Sequence, residues 1–187
     1  MLYDDEMRRD ILSRLSGYRL KHTLGCEKAA RELARKYGAD EEKCAFAMLL
    51  HDITKTFSQE EQLNLCKKYG IIPNDVEKTE WKMLHGKTAA AIAADVYHAP
   101  ADVTHAIAYH TTGCANMTLL DKIVYMADYI EENRSFDGVK TARKLAARNL
   151  DEAMLYGLDA SLRDLVHRGK LIHVDTVLAR NWLMNNM

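Results

Sequence analysis

At 187 residues the chain is long enough for one domain with a full core, and residues 1–187 read as a single domain. With 48% hydrophobic and 28% charged residues, the composition excludes a disordered chain. A formal net charge of -1 removes the electrostatic basis for nucleic-acid or membrane-surface binding, although single anions can still be bound locally.

The stretch Met1 to Glu6 is acidic and polar, where a signal peptide needs a basic start and an apolar run. No segment nears the roughly 18 consecutive apolar residues of a membrane span. Cys26, Cys44, Cys66 and Cys114 form no CxxC pair, which suits reduced thiols in a cytoplasmic protein and argues against a structural zinc site.

Only Pro73 and Pro100 interrupt a sequence rich in helix formers, and alternating β-branched runs are absent, so an all-α fold is expected. The first helix covers about Asp5 to Leu15, and a second runs from Tyr18 to Tyr37, ended by Gly38. Asp40 caps a third, Glu41 to Thr54, whose second half is apolar and delivers His51 and Asp52 at its end. Ser58 to Glu61 is a capping-box pattern for a helix closed by Gly70, and Pro73-Asn74 marks a turn. His85-Gly86 opens an Ala-rich helix, Lys87 to Tyr97, broken by Ala99-Pro100. A short helix from Asp102 to His110 leads through the loop Thr111 to Met117 into Leu119 to Glu132, capped by Thr118. Helices near Lys140 to Ala147, Asp151 to His167 and Thr176 to Met184 complete the chain, with Gly169 ending the second of these.

A histidine and an aspartate adjacent in apolar surroundings are costly to bury unless something binds both, and a divalent metal is the commonest such partner. Neighbouring helical residues point about 100° apart, so His51 and Asp52 can converge on one ion off the helix end. His22 and Asp128, each on its own helix among apolar residues, are the best additional ligands. Two imidazoles and two carboxylates without thiolate suit Fe, Mn, Co or Zn rather than calcium. A structural His-Asp pair is the alternative, and His98, His105 and His167 are assigned no role.

The ordered set His22, His51-Asp52, Asp128, with His85 and His110 between, resembles the signature of the HD-domain metal phosphohydrolases. A closer similarity, to the YqeK-type family, rests on five blocks between residues 22 and 173. They are His22-Thr23-Leu24-Gly25, His51 to Lys55, His85-Gly86, Asp121 to Glu131 with Asn133-Arg134, and Leu171-Ile172-His173. This chain carries Glu132 and Asp137 where that family has prolines. The resemblance implies symmetrical hydrolysis of diadenosine tetraphosphate to two ADP, with iron in the site.

On that reading His22, His51, Asp52 and Asp128 hold the ion, and Asp52 takes part in the chemistry. Lys55, His85 and His110 act on phosphate, and the two histidines would instead hold a second ion in a two-metal arrangement. Arg134 offers a planar fork for a terminal phosphate, and Leu171, Ile172 and His173 contact a nucleobase. The rivals are another HD-type nucleotide phosphohydrolase, a two-iron oxygenase, or a nucleotide-binding regulator without turnover.

Overall fold

The structure, a computed structural model, describes residues 2–187. Met1, the first residue of the polar N-terminal stretch, lies outside them. Among the described residues there are eleven α-helices and no strand: α1 Asp5–Ser13, α2 Gly17–Tyr37, α3 Glu41–Leu50, α4 Gln59–Tyr69, α5 Asp75–Thr79, α6 His85–Asp95, α7 Ala101–Tyr109, α8 Leu119–Ile130, α9 Val139–Ala146, α10 Leu150–His167 and α11 Val174–Asn186. No helix among them is long and apolar enough to cross a membrane.

The centre of the molecule is α3, which packs against α2, α6, α7 and α8. Asp40 caps it by accepting from the Glu42 and Lys43 amides at 2.9 and 3.0 Å. Every residue from Cys44 to Leu50 is inaccessible to solvent, as expected of a helix apolar on all sides. Burying Phe46, Met48, Leu49 and Leu50 contributes about 1.5–3 kcal/mol each.

The expected caps are in place. Gly38 and Gly70 close α2 and α4 in the left-handed region at φ 75° and 67°. Ser58 with Glu61, and Thr118 with Asp121, form reciprocal capping boxes.

Two features differ from the sequence expectation. Helix α3 stops at Leu50 rather than Thr54, and residues 51–56 form tight turns with Ile53 N–H bonded to Leu50 O and Lys55 N–H to Asp52 O. The short α5 and a 3-10 turn at Trp81–Leu84 occupy what reads in sequence as a plain connection. Each is a single turn or so, too short for periodicity to register.

All four cysteines are free and buried, and burial pushes the Cys44 and Cys114 thiols up to about 12. The Cys26 thiol is pushed well up by burial and then by Asp128 and Glu131. Native protein is therefore expected to give no fast reaction with a disulfide reagent at neutral pH, against four thiols after denaturation. Rapid labelling of one native thiol would contradict the packing around it.

Candidate metal centre

The turn that follows α3 is held by a buried polar network. Thr54 Oγ1 lies 2.9 Å from Thr88 Oγ1 and 3.1 Å from the His85 carbonyl. Gln62 donates to the Thr54 carbonyl and accepts from Thr88, both at 2.7 Å. This network ties His51, Asp52 and Lys55 to the start of α6, where His85 stands.

Four of the six ordered residues, the histidines, converge on a fifth, Asp52. His51 Nε2 lies 3.3 Å and His22 Nε2 3.6 Å from Asp52 Oδ2, while His85 Nε2 and His110 Nε2 lie 3.3 and 3.8 Å from Oδ1. Asp128, the sixth, joins through Oδ1, 3.0 Å from His22 Nε2. The imidazoles themselves crowd, with 3.4 Å between the Nε2 atoms of His51 and His22 and 3.0 Å between those of His85 and His110.

The backbone decides which ring nitrogen faces inward. His51, His85 and His110 each direct Nδ1 at the carbonyl three residues earlier, on Met48, Lys82 and Ile107, at 2.6–2.7 Å. A carbonyl can only accept, so Nδ1 carries the hydrogen and the inward Nε2 presents a lone pair. His22 directs Nδ1 at Glu131 Oε1, 3.0 Å away, with the same result.

Four lone pairs and two carboxylates facing one another are stable only around protons or a cation. Asp52 Oδ1 is buried with no hydrogen-bond partner of good geometry, in the hollow between His85 and His110. These donors suit a divalent ion of borderline softness, and His51 with Asp52 and His110 form one compact ligand group while His22, Cys26, His51 and Asp128 form another.

The electrostatics follow from burial and crowding. Burial opposes ionisation of Asp52, but His51 and His85 overcome it and hold the carboxyl well below the usual range. Asp128 is likewise held low, against burial, by His22 and Arg134. Burial opposes protonation of His51 as well, yet the neighbouring Asp52 raises its pKa. Burial lowers His85, and burial with His85 and His51 alongside pushes His110 well down.

The structure brings most of the remaining expected residues to this centre. Lys55 Nζ lies 2.9 Å from His85 Nε2 and 3.8 Å from Asp52 Oδ1, although no helix carries it there. Arg134 pairs with the Asp128 carboxylate and donates through Nε to the Asp128 carbonyl at 2.9 Å.

The Leu171 to His173 segment stands apart from the carboxylates. Leu171 and His173 line a cleft of about 430 Å³ together with Met83, Leu165, Lys170 and Thr111. Thr111 links the two places, its Oγ1 being 3.1 Å from His110 Nε2. Ile172 is not among the lining residues. His173 caps α11, accepting from the Asp175 amide, and meets Asn74 Nδ2 at 2.7 Å, so both ring nitrogens are engaged inside the protein. His105 pairs with the buried, capping Asp121.

Sequence reasoning missed Arg19, Glu131, Thr111 and Cys26. Arg19 pairs directly with Asp52 Oδ2 from one turn before His22. Cys26, one turn after His22, lies 3.5 and 3.7 Å from its two ring nitrogens. That near-equal spacing sets the sulfur against the ring rather than along the Nε2 lone pair. The i,i+3 and i,i+4 spacings from His22 are the signals that would have found both residues.

A model of the HD domain matches residues 19–133, a span holding all six of the ordered residues. The chain is 33% identical to a Bacillus subtilis protein named symmetrical bis(5'-nucleosyl)-tetraphosphatase, over 94% of each. It is 34% identical to a Halalkalibacterium halodurans protein of the same name, over 91% of each. The fold is similar to a crystal structure from Clostridium acetobutylicum described as a "predicted HD superfamily hydrolase involved in NAD metabolism", with a TM-score of 0.94, 36% identity and 99% of each chain covered. The chain belongs to the HD-domain family, together with the relatives named symmetrical bis(5'-nucleosyl)-tetraphosphatase.

Proposed function

We propose that this chain is a cytoplasmic, metal-dependent hydrolase that cleaves diadenosine tetraphosphate symmetrically into two ADP. The observation that carries the reading is the convergence of four imidazole lone pairs on Asp52, flanked by Lys55, Arg19 and Arg134. Its substrate is taken from the names of the relatives.

His22, His51, Asp52 and Asp128 would hold the ion, with iron the first candidate and Mn, Co or Zn the others. A divalent ion in such a site polarises phosphoryl oxygens and lowers the pKa of a bound water. Lys55, partly exposed beside Asp52, reaches a phosphate oxygen. Arg134 gives a second, forked contact, which suits a phosphate flanking the scissile anhydride.

His85 and His110 have depressed pKa values and inward lone pairs. In that state they cannot donate to phosphate through Nε2. They would hold a second ion or, despite their low individual basicity, would share between nitrogens 3.0 Å apart a proton released by the attacking water. The cleft at Thr111, Leu171 and His173 receives one nucleoside, in contact with its apolar wall rather than with the ring nitrogens of His173.

Anaerobic incubation of iron-loaded protein with diadenosine tetraphosphate, followed by chromatography, is expected to yield ADP alone. ATP plus AMP would break the cleavage position and keep the metal hydrolase. Tight nucleotide binding without any product would turn the reading toward a regulator.

A further inference from the structure

The side chain that orients His22 comes from the far end of α8, 109 residues away. Glu131 is almost wholly buried and belongs to no core cluster. Its Oε1 faces His22 Nδ1 at 3.0 Å, and its Oε2 accepts from the Asn133 amide at 2.6 Å and from Asn133 Nδ2 at 2.8 Å. The segment is tied down from outside by Arg143, which donates to the carbonyls of Ile130, Glu131 and Arg134 at 2.6–3.0 Å. Those bonds hold the loop that follows α8.

Space for the carboxylate is made by Gly25. A Cβ there would stand 2.3 Å from Glu131 Oε2 and 3.0 Å from Asn133 Nδ2. Gly25 is helical and needs no unusual backbone angle, so the close approach of this carboxylate accounts for the absent side chain.

We propose that Glu131, seated by Asn133 and Gly25, is the positioning residue for His22: it fixes the tautomer with hydrogen on Nδ1 and so aims the Nε2 lone pair at Asp52 and Asp128. Asn133 already supplies two donors to one oxygen of Glu131, and the backbone amide cannot be reversed. The other oxygen is thereby left to accept from His22. His51, His85 and His110 obtain the same tautomer from carbonyls three residues earlier, whereas Nδ1 of His22 takes it from a side chain. Outer partners of this kind typically contribute 10–100-fold in metal affinity.

The inference rests on the assignment of His22 as a ligand, and the Glu131→Gln variant tests it with little change of shape. Its amide must turn the oxygen to the two Asn133 donors, which sets NH2 against His22 Nδ1 and moves the ring hydrogen to Nε2. The expected results are a reversed His22 tautomer in long-range nitrogen-proton NMR of metal-free protein and divalent-metal affinity, by equilibrium dialysis with Mn or Co, lower by about 10–100-fold. Helicity should be unchanged. Gly25→Ala, which touches no ligand atom, should lower metal affinity in the same way by displacing the carboxylate.

Absence of hydrogen from Nδ1 of His22 in the wild type, or wild-type protonation of Nδ1 and wild-type affinity in Glu131→Gln, would overturn the proposal. The tautomer is read without metal. A wild-type chain that shows hydrogen on Nδ1 but binds no ion would therefore leave the orienting role standing and remove the ligand assignment instead.

Discussion

Replacing His51 by alanine is expected to remove metal retention and turnover together, with kcat/KM falling by about 10³-fold or more. The magnitude follows from charge stabilisation of several kcal/mol by a bound divalent ion, at tenfold per 1.36 kcal/mol. His51 Nε2 sits between His22 Nε2 at 3.4 Å and Asp52 Oδ2 at 3.3 Å, so it is shared by both ligand groups and no neighbour replaces it. The imidazole is also buried, and its loss leaves a cavity next to α3. Asp52→Asn, which keeps the volume, separates the two effects: it should retain helicity and lose metal. Metal content by elemental analysis and turnover of diadenosine tetraphosphate are the two measurements, and full activity in His51→Ala would sink the ligand assignment.

Gly86→Ala should destabilise the protein by about 1–3 kcal/mol, the usual cost of forcing a methyl group into a packed interface. Helices α6 and α7 cross here at close range, and an added Cβ would stand 2.8 Å from the Ala108 carbonyl oxygen and 3.4 Å from that of Ile107. These are backbone atoms that cannot rotate aside. The Ile107 carbonyl is the one that accepts from His110 Nδ1, so the same methyl separates His85 from His110. Urea unfolding should show a lower midpoint at an unchanged slope, and turnover measured well below that midpoint should fall as well. An unchanged midpoint would mean that the two helices do not meet this closely.

The helices were legible because what starts and stops them is local. Asp40, Ser58 and Thr118 cap amides two or three residues away, and Gly38 and Gly70 end their helices by conformation alone. His22, His51, Asp52 and Asp128 were legible from apolar surroundings that make an uncompensated polar group costly, and His85 and His110 only from the resemblance to the HD signature. Their mutual geometry was not. Lys55 was placed beside Asp52 on an assumed helix, and it reaches Asp52 from consecutive turns instead.

Composition, spacing and capping by themselves determined an all-α chain, and apolar surroundings marked His22, His51-Asp52 and Asp128 as residues that could share a ligand, while His85 and His110 joined them only through the resemblance to the HD signature. Only the tertiary structure decided that Asp52 is the hub, that Arg19 and Arg134 flank the carboxylates, and that His173 is turned into the protein. It alone decided that Glu131 reaches His22 through the space left by Gly25. The reason is the range of the forces: caps and periodic faces act within one turn of helix. Contacts between residues 25 to 109 positions apart depend on how α2, α3, α6, α7 and α8 pack.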